Sequence, residues 1–266
     1  MKFNKTIKYF ACSVALLGSV SPSILTANHS LNADGFVSLI QGLAKIASPP
    51  DYTSIQGVGS GSVAPAGVGF IVLSGTTTEG TGGGNGDFDG AFSFGTGLPS
   101  FGPVGVQIST NITSVNPDDF ADSGSFSIKF GTIYDGTINH VKVGLSFGSL
   151  AGWGDATSTD TTTSLAVSSK NTFYTDAGNS YTYSWALGAK TNSADSNIDI
   201  FSGLSLGLSS SLSVSASNSA AQTNVGLGWN IPNLNGTSLS VTANDVFEKG
   251  PSSGVTVSLA RSFNVF

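Results

Sequence analysis

Val141-Lys142-Val143-Gly144-Leu145-Ser146-Phe147-Gly148 sets an apolar side chain against a small or polar one at every step. A period of two marks an extended strand with one apolar face, because successive side chains point to opposite sides of a sheet. The second face decides the fold. A soluble sandwich also alternates, but its outward face usually carries long charged side chains for solubility. Here that face holds Lys142, two glycines and a serine.

Outward from this stretch, the same pattern runs from about residue 66 to the end. Upstream lie Val68, Phe70 and Val72; Phe88, Gly90, Phe92 and Phe94; Val104, Val106, Ile108 and Ile112; and Phe126, Ile128 and Phe130. Downstream, Leu165 and Val167 mark the weakest run. After it come Tyr181 to Leu187, Ile198 to Leu208, Leu212 to Ala216, Val225 to Ile231, Leu239 to Ala243 and Val255 to Val265. That makes about twelve strands. The intervening residues are Gly, Ser, Thr, Asn, Gln and a few Lys and Asp. An apolar face turned to lipid and a small polar face turned to a wet lumen accounts for strands almost free of charge. In lipid such a sheet must close, since an open edge leaves amide groups unpaired. The expected fold is all-β: an antiparallel up-and-down transmembrane β-barrel of about twelve strands over residues 66–266.

Connections and aromatics agree with this reading. Loops 75–86, 113–122 and 150–161 are long, and the turns 96–102 and 134–139 between them are shorter, as for outer and periplasmic ends. The contrast fades after residue 175, where all connections are short. Phe94, Phe130, Tyr134, Phe173, Tyr174, Tyr181, Trp229 and Phe263 fall near one set of strand ends. Phe88, Phe120, Phe147, Trp153 and Phe247 fall near the other, so the aromatics form two interfacial girdles.

The N-terminus reads differently. Lys2, Lys5 and Lys8 precede an apolar run from Tyr9 to Val20 and small residues to Ala27, the pattern of a cleaved signal peptide over 1–27. Its removal takes three lysines and Cys12, the only cysteine, so no disulfide framework is expected in the exported chain. Residues 28–65 then hold a short amphipathic helix and a Gly/Ser/Pro linker. Phe36, Leu39, Ile40, Leu43 and Ile46 share one helical face within 33–47, and Pro49-Pro50 ends it.

Composition excludes several classes. With 35 glycines and abundant Ser and Thr, the chain is not mostly helical, and it has no collagen period. Asp+Glu of 16 against Lys+Arg of 10 argues against a nucleic-acid partner.

With the signal peptide, the alternating strands from 66 to 265 and the terminal Phe266, the chain resembles bacterial outer-membrane β-barrel proteins of the porin-like kind. The resemblance implies residence in the outer membrane, contact with its lipid, and insertion by the barrel assembly machinery, which in that family recognises a last strand ending in an aromatic. One feature departs from the pattern. The apolar set of the last run is odd-numbered and broken by Arg261, whereas Phe266 is even. Either a bulge shifts the end or Phe266 is not a sorting signal. The 33–47 helix, linker and twelve strands also resemble the translocator domains of autotransporters. No passenger precedes the helix, so secretion of its own passenger is not expected. The helix could plug the lumen, lie in the periplasm or lie on a membrane surface.

Candidate chemistry is sparse. In the exported chain only His29 and His140 could serve as imidazole bases, and parity makes His140 a lumen-lining residue rather than a catalyst. Asp118, Asp119 and Asp122 read as a solvated acidic loop rather than a calcium site. No enzyme activity, metal or cofactor is expected. Inward parity instead collects Asp89, Gln107, Lys129, His140, Lys142, Lys170, Lys190 and Asp199 as pore-lining residues. Charges lining a pore bias which ions pass. The expected function is passive diffusion of small hydrophilic solutes through a pore of weak anion preference, with assembly into a homo-oligomer open. The alternative is a surface structural protein or adhesin without transport.

Overall fold

The computed structural model describes residues 54–78, 88–113, 120–133, 140–176, 180–192, 197–219, 222–247 and 254–265. The expected signal peptide, the 33–47 helix, Asp118, Asp119 and Phe266 lie outside the described residues.

In chain order the strands are β1 (Ser62–Val63), β2 (Val68–Thr78), β3 (Phe88–Phe101), β4 (Val104–Ile112), β5 (Gly124–Ile133), β6 (Val141–Gly148) and β7 (Gly152–Trp153). They continue as β8 (Thr162–Tyr174), β9 (Ser180–Asn192), β10 (Asp199–Gly207), β11 (Leu212–Ser219), β12 (Gln222–Asn230), β13 (Thr237–Asn244) and β14 (Gly254–Asn264). All but β1 and β7 pair antiparallel with both neighbours in a single sheet. The last strand closes on the first without a break, from Gly254 opposite Thr78 to Asn264 opposite Val68. The result is a closed barrel of twelve strands, which leaves no edge for lipid to meet.

The rim carrying the start of β2 and the end of β14 is the terminal rim, and the opposite one is the far rim. Connections at the terminal rim cover 102–103, 134–140, 175–179, 208–211 and 231–236. Those at the far rim cover 79–87, 113–123, 149–161, 193–198, 220–221 and 245–253. The long-short contrast therefore holds through β8 and breaks at the tight β11–β12 turn.

Leu165 on β8 begins an outward series that is interrupted by Ser169 and Asn171, which is why its alternation is faint. The partner strand fills the gap: Trp185 stands opposite Ser169 and Tyr183 opposite Asn171. At the other end of the chain, β14 keeps a regular register to β13 and to β2, with no bulge. Ser262 and Asn264 thus keep the inward phase, and Phe263 is the outward aromatic at the terminal rim, 43% exposed.

One seam is unusual. The edge of β5 that meets β6 is shared three ways. Gly124–Ser125 pair with β7, Ile128–Gly131 pair with β6, and Thr132–Ile133 pair in parallel with β1. Leu150 and Ala151 continue the β7 contact, with Leu150 N–H donating to the Phe126 carbonyl at 2.9 Å.

The outside of the barrel is apolar. Leu73, Ile108, Val143, Leu187, Leu204 and Leu259 are all exposed there. In water this would be an extended liability; in lipid it is the matched solvent. Aromatics stand at both rims. Phe173 stacks on Tyr181 with centroids 5.4 Å apart at the terminal rim. At the far rim Phe126 meets Trp153 at 5.4 Å, and the Trp153 indole N–H donates to the Ala121 carbonyl at 2.8 Å.

Candidate functional site: the barrel lumen

Most outward apolar residues have small or polar neighbours facing in; on β2 the apolar run of Val68, Phe70 and Val72 instead keeps the inward phase of Ser74, and Ile71 and Leu73 face out. Along β11 the inward set is Ser213, Ser215, Ser217 and Ser219; along β14 it is Thr256, Ser258, Ala260 and Ser262. Toward the far rim the inward hydroxyls and amides join into neutral chains. Asn244 Nδ2 donates to Thr256 Oγ1 at 2.7 Å, and Thr256 and Thr76 share a hydroxyl bond at 2.9 Å. Ser93 Oγ donates to Asn111 Oδ1 at 2.8 Å, and Asn111 Nδ2 donates to Ser127 Oγ at 3.1 Å. These bonds fix side chains that would otherwise be free rotors in the lumen.

The lumen also contains chain. Residues 54–67, which include the linker of about 57–66 expected from the sequence, run along the inner wall as a strap. It starts against β10 and β11. There Ser54 N–H donates to Ser205 Oγ at 3.2 Å, and Ser217 Oγ donates to the Gln56 carbonyl at 2.6 Å. It crosses β8, where Gly61 N–H donates to Ser168 Oγ at 2.9 Å. It reaches β5 through the β1 pairing and β4 through Ala64 N–H, which donates to Gln107 Oε1 at 3.0 Å. At the terminal rim a turn closed by Val68 N–H on the Pro65 carbonyl (3.1 Å) sends the chain into β2. Gly67 has φ +77° there, the left-handed conformation that the third position of a type II turn requires.

Glycines on the wall make this close approach possible. A Cβ at Gly144 or at Gly131 would stand 2.8 Å from the Gly61 carbonyl oxygen, and one at Gly97 would collide with the Ala64 and Pro65 carbonyls. A Cβ at Gly203 would meet the Ile55 side chain at 2.5 Å. The wall glycines are a bed for the strap as well as small fillers.

The strap makes the lumen asymmetric. Under and beside it the inner positions are buried: Ser205 is 1% exposed, Ala166 2% and Ser217 5%. On β13, β14 and β2 the inward Ser240, Ser258 and Ser74 are only half-buried.

Of the pore-lining residues expected from sequence, Gln107 and Lys129 are register partners on β4 and β5. Both contact the strap, Lys129 by donating from Nζ to Ser60 Oγ at 3.2 Å. Lys142 is buried on β6, where the strap crosses at Gly61, and its Nζ donates to the Ile133 carbonyl at 3.5 Å. Lys170 is half-buried on β8, in register with Ser184. Lys190 and Asp199 stand opposite each other on β9 and β10, toward the far rim. Asp89 is in register with Thr76 on the other side of the barrel. His140 is exposed at the terminal rim just before β6, and its carbonyl accepts from Ser169 Oγ at 3.0 Å. The lysines therefore occupy four consecutive barrel strands, β5, β6, β8 and β9, while Asp89 and Asp199 lie on β3 and β10.

Sequence reading missed Phe201. Its ring points inward, is 3% exposed and lies against Gly188 and Gly59. The available signal was its phase, opposite to that of Ile200 and Leu204.

No protein family and no curated protein matches this chain. Among solved structures it is similar to a KdgM porin in complex with disordered oligogalacturonate, at 9% identity and a TM-score of 0.47, covering 73% of this chain and 99% of that one. It is also similar to an outer-membrane channel from Pseudomonas putida F1, at 10% identity and a TM-score of 0.44, covering 78% and 99%. A Rhodopseudomonas blastica porin variant superposes more loosely, at 9% identity and a TM-score of 0.30, covering 74% and 99%. The barrel's own geometry carries the assignment. A closed antiparallel sheet, apolar and exposed outside, polar inside and ringed by aromatics at both rims, is a porin-like transmembrane barrel of the kind found in the bacterial outer membrane.

Proposed function

We propose that the protein is a pore for passive diffusion of small hydrophilic solutes across the outer membrane, with a weak preference for anions. One observation carries this reading: inward lysines on the four adjoining strands β5, β6, β8 and β9, set in a lumen lined largely by Ser, Thr, Asn and Gly. Of these, half-buried Lys170 and exposed Lys190 raise the local concentration of anions in the passage, and neutral hydroxyls let hydrated solutes slide without a deep binding site. On this reading residues 1–27 are a cleaved signal peptide, the assembly machinery inserts the barrel, and His140 serves the rim rather than catalysis. The strap inside the lumen favours a second reading, a barrel kept mainly for structure at the cell surface. Reversal potential in a planar bilayer under a salt gradient separates them. The pore reading expects a modest potential of anion-selective sign, reduced in Lys170→Glu and Lys190→Glu. Cation selectivity overturns the anion preference, and absence of conductance overturns the pore.

A further inference from the structure

We infer that residues 54–67 are the size filter of this pore, a constriction mounted on the wall and made from the chain's own N-terminal side; the inference rests on the pore reading. Three observations converge on it. First, the segment is fixed rather than loosely lodged. Separate hydrogen bonds tie it to β10, β11, β8, β5 and β4, and two residues pair directly with Thr132 and Ile133. Second, the wall is cut to receive it, since the glycines facing it lie where a side chain would collide with its backbone. Third, burial is uneven. Ser205, Ala166 and Ser217 along the strap's path are closed to solvent, whereas the inward Ser240, Ser258 and Ser74 of β13, β14 and β2 are only half-buried.

The filter's composition states what it selects. Ser60, Gly59, Ser62 and Ala64 offer small side chains and backbone amides with no charge, so it discriminates by size. It also holds charge back from the passage. Lys129 donates to Ser60, and Lys142 is buried where Gly61 crosses. Removing the strap should therefore widen the passage and bring these two cations to its water together, so that conductance and anion preference rise in one step.

The test compares the full chain with a variant lacking residues 54–66, each refolded in detergent and reconstituted. Readouts are single-channel conductance, reversal potential, and liposome swelling with neutral sugars of increasing size. The filter reading expects severalfold higher conductance in the deletion, a shift of reversal potential toward anions, and entry of larger sugars. A folded deletion variant with the full chain's conductance, selectivity and size limit overturns it. Silence in the full chain together with an open deletion variant would show a plug rather than a filter, and silence in both overturns the pore reading itself. If the deletion variant does not fold, the pair Gly59→Cys with Ala166→Cys decides. A Cβ at Gly59 would stand 3.9 Å from that of Ala166, within the range of about 3.5–4.5 Å that a disulfide spans. Oxidation should then cross-link the strap to β8 and leave conductance and size limit at the values of the unsubstituted chain. Failure to cross-link, or a changed size limit on cross-linking, overturns the fixed filter.

Discussion

Gln107 on β4 holds the main chain of Ala64 inside the barrel, its Oε1 accepting the Ala64 N–H at 3.0 Å. The pair joins residues from two regions that the sequence presents as unrelated, a strand and a linker. Gln107→Leu keeps most of the volume and removes the acceptor. An amide left unpaired in a part-buried site costs about 1–3 kcal/mol. Faster hydrogen exchange at Ala64, with the barrel still resistant to unfolding, is the expected result. Unchanged protection at Ala64 would show that the bond does not hold the strap.

Gly144→Leu should dislodge the strap from its bed. The new side chain would grow into the Gly61 carbonyl, whose oxygen already lies 2.8 Å from the Cβ position. Packed backbone cannot yield by so much without moving as a unit. Limited proteolysis of detergent-folded protein should then cut within 54–66, where the unsubstituted chain resists. Equal resistance of both proteins argues that the strap is not seated on this glycine.

The two faces of β14 should respond oppositely to charge. Leu259 stands between Leu239 and Leu73 on the apolar outside, and Ser258 between Ser240 and Ser74 on the inside. An arginine on the lipid face near the bilayer midplane costs about 2–4 kcal/mol. Leu259→Arg should lower stability in unfolding from lipid vesicles, and Ser258→Arg should fold nearly as well as the unsubstituted chain. The reverse ranking would invert the assignment of inside and outside.

Phe201→Ala should destabilise the barrel from within. Truncating a buried aromatic costs about 3–5 kcal/mol, with the lower end expected where water can enter the space. A lowered unfolding midpoint in urea, largely restored by Phe201→Leu, is the predicted pattern. No change in midpoint would mean that the ring contributes little to packing against Gly188 and Gly59.

Much of the barrel was legible because period two is a strong signal where it is unbroken, as in Val141 to Gly148. It was weakest at Leu165 and Val167, since the outward face of β8 continues as Ser169 and Asn171, and Trp185 and Tyr183 of the next strand cover it. Pairing of that kind cannot be read from one strand alone. The phase problem at the chain's end resolves in favour of regular pairing, with Phe263 taking the outward aromatic position. The expectation that Lys129, Lys142 and Gln107 face inward followed from parity. Their relation to the strap did not, because residues 57–66 have the small, polar, glycine-rich composition of any flexible linker. What distinguishes them is the complementary set of glycines at Gly97, Gly131, Gly144 and Gly203. Those positions come to lie along one segment only once the strands have paired into the sheet.

The most direct test of the central claim, a closed barrel with lipid outside, is fractionation of cells making the protein, followed by gel mobility with and without heating. Extraction from the outer membrane by detergent, with a compact band that shifts on boiling, is the predicted result. Recovery in the soluble periplasm or the medium, with one mobility under both conditions, would contradict the account.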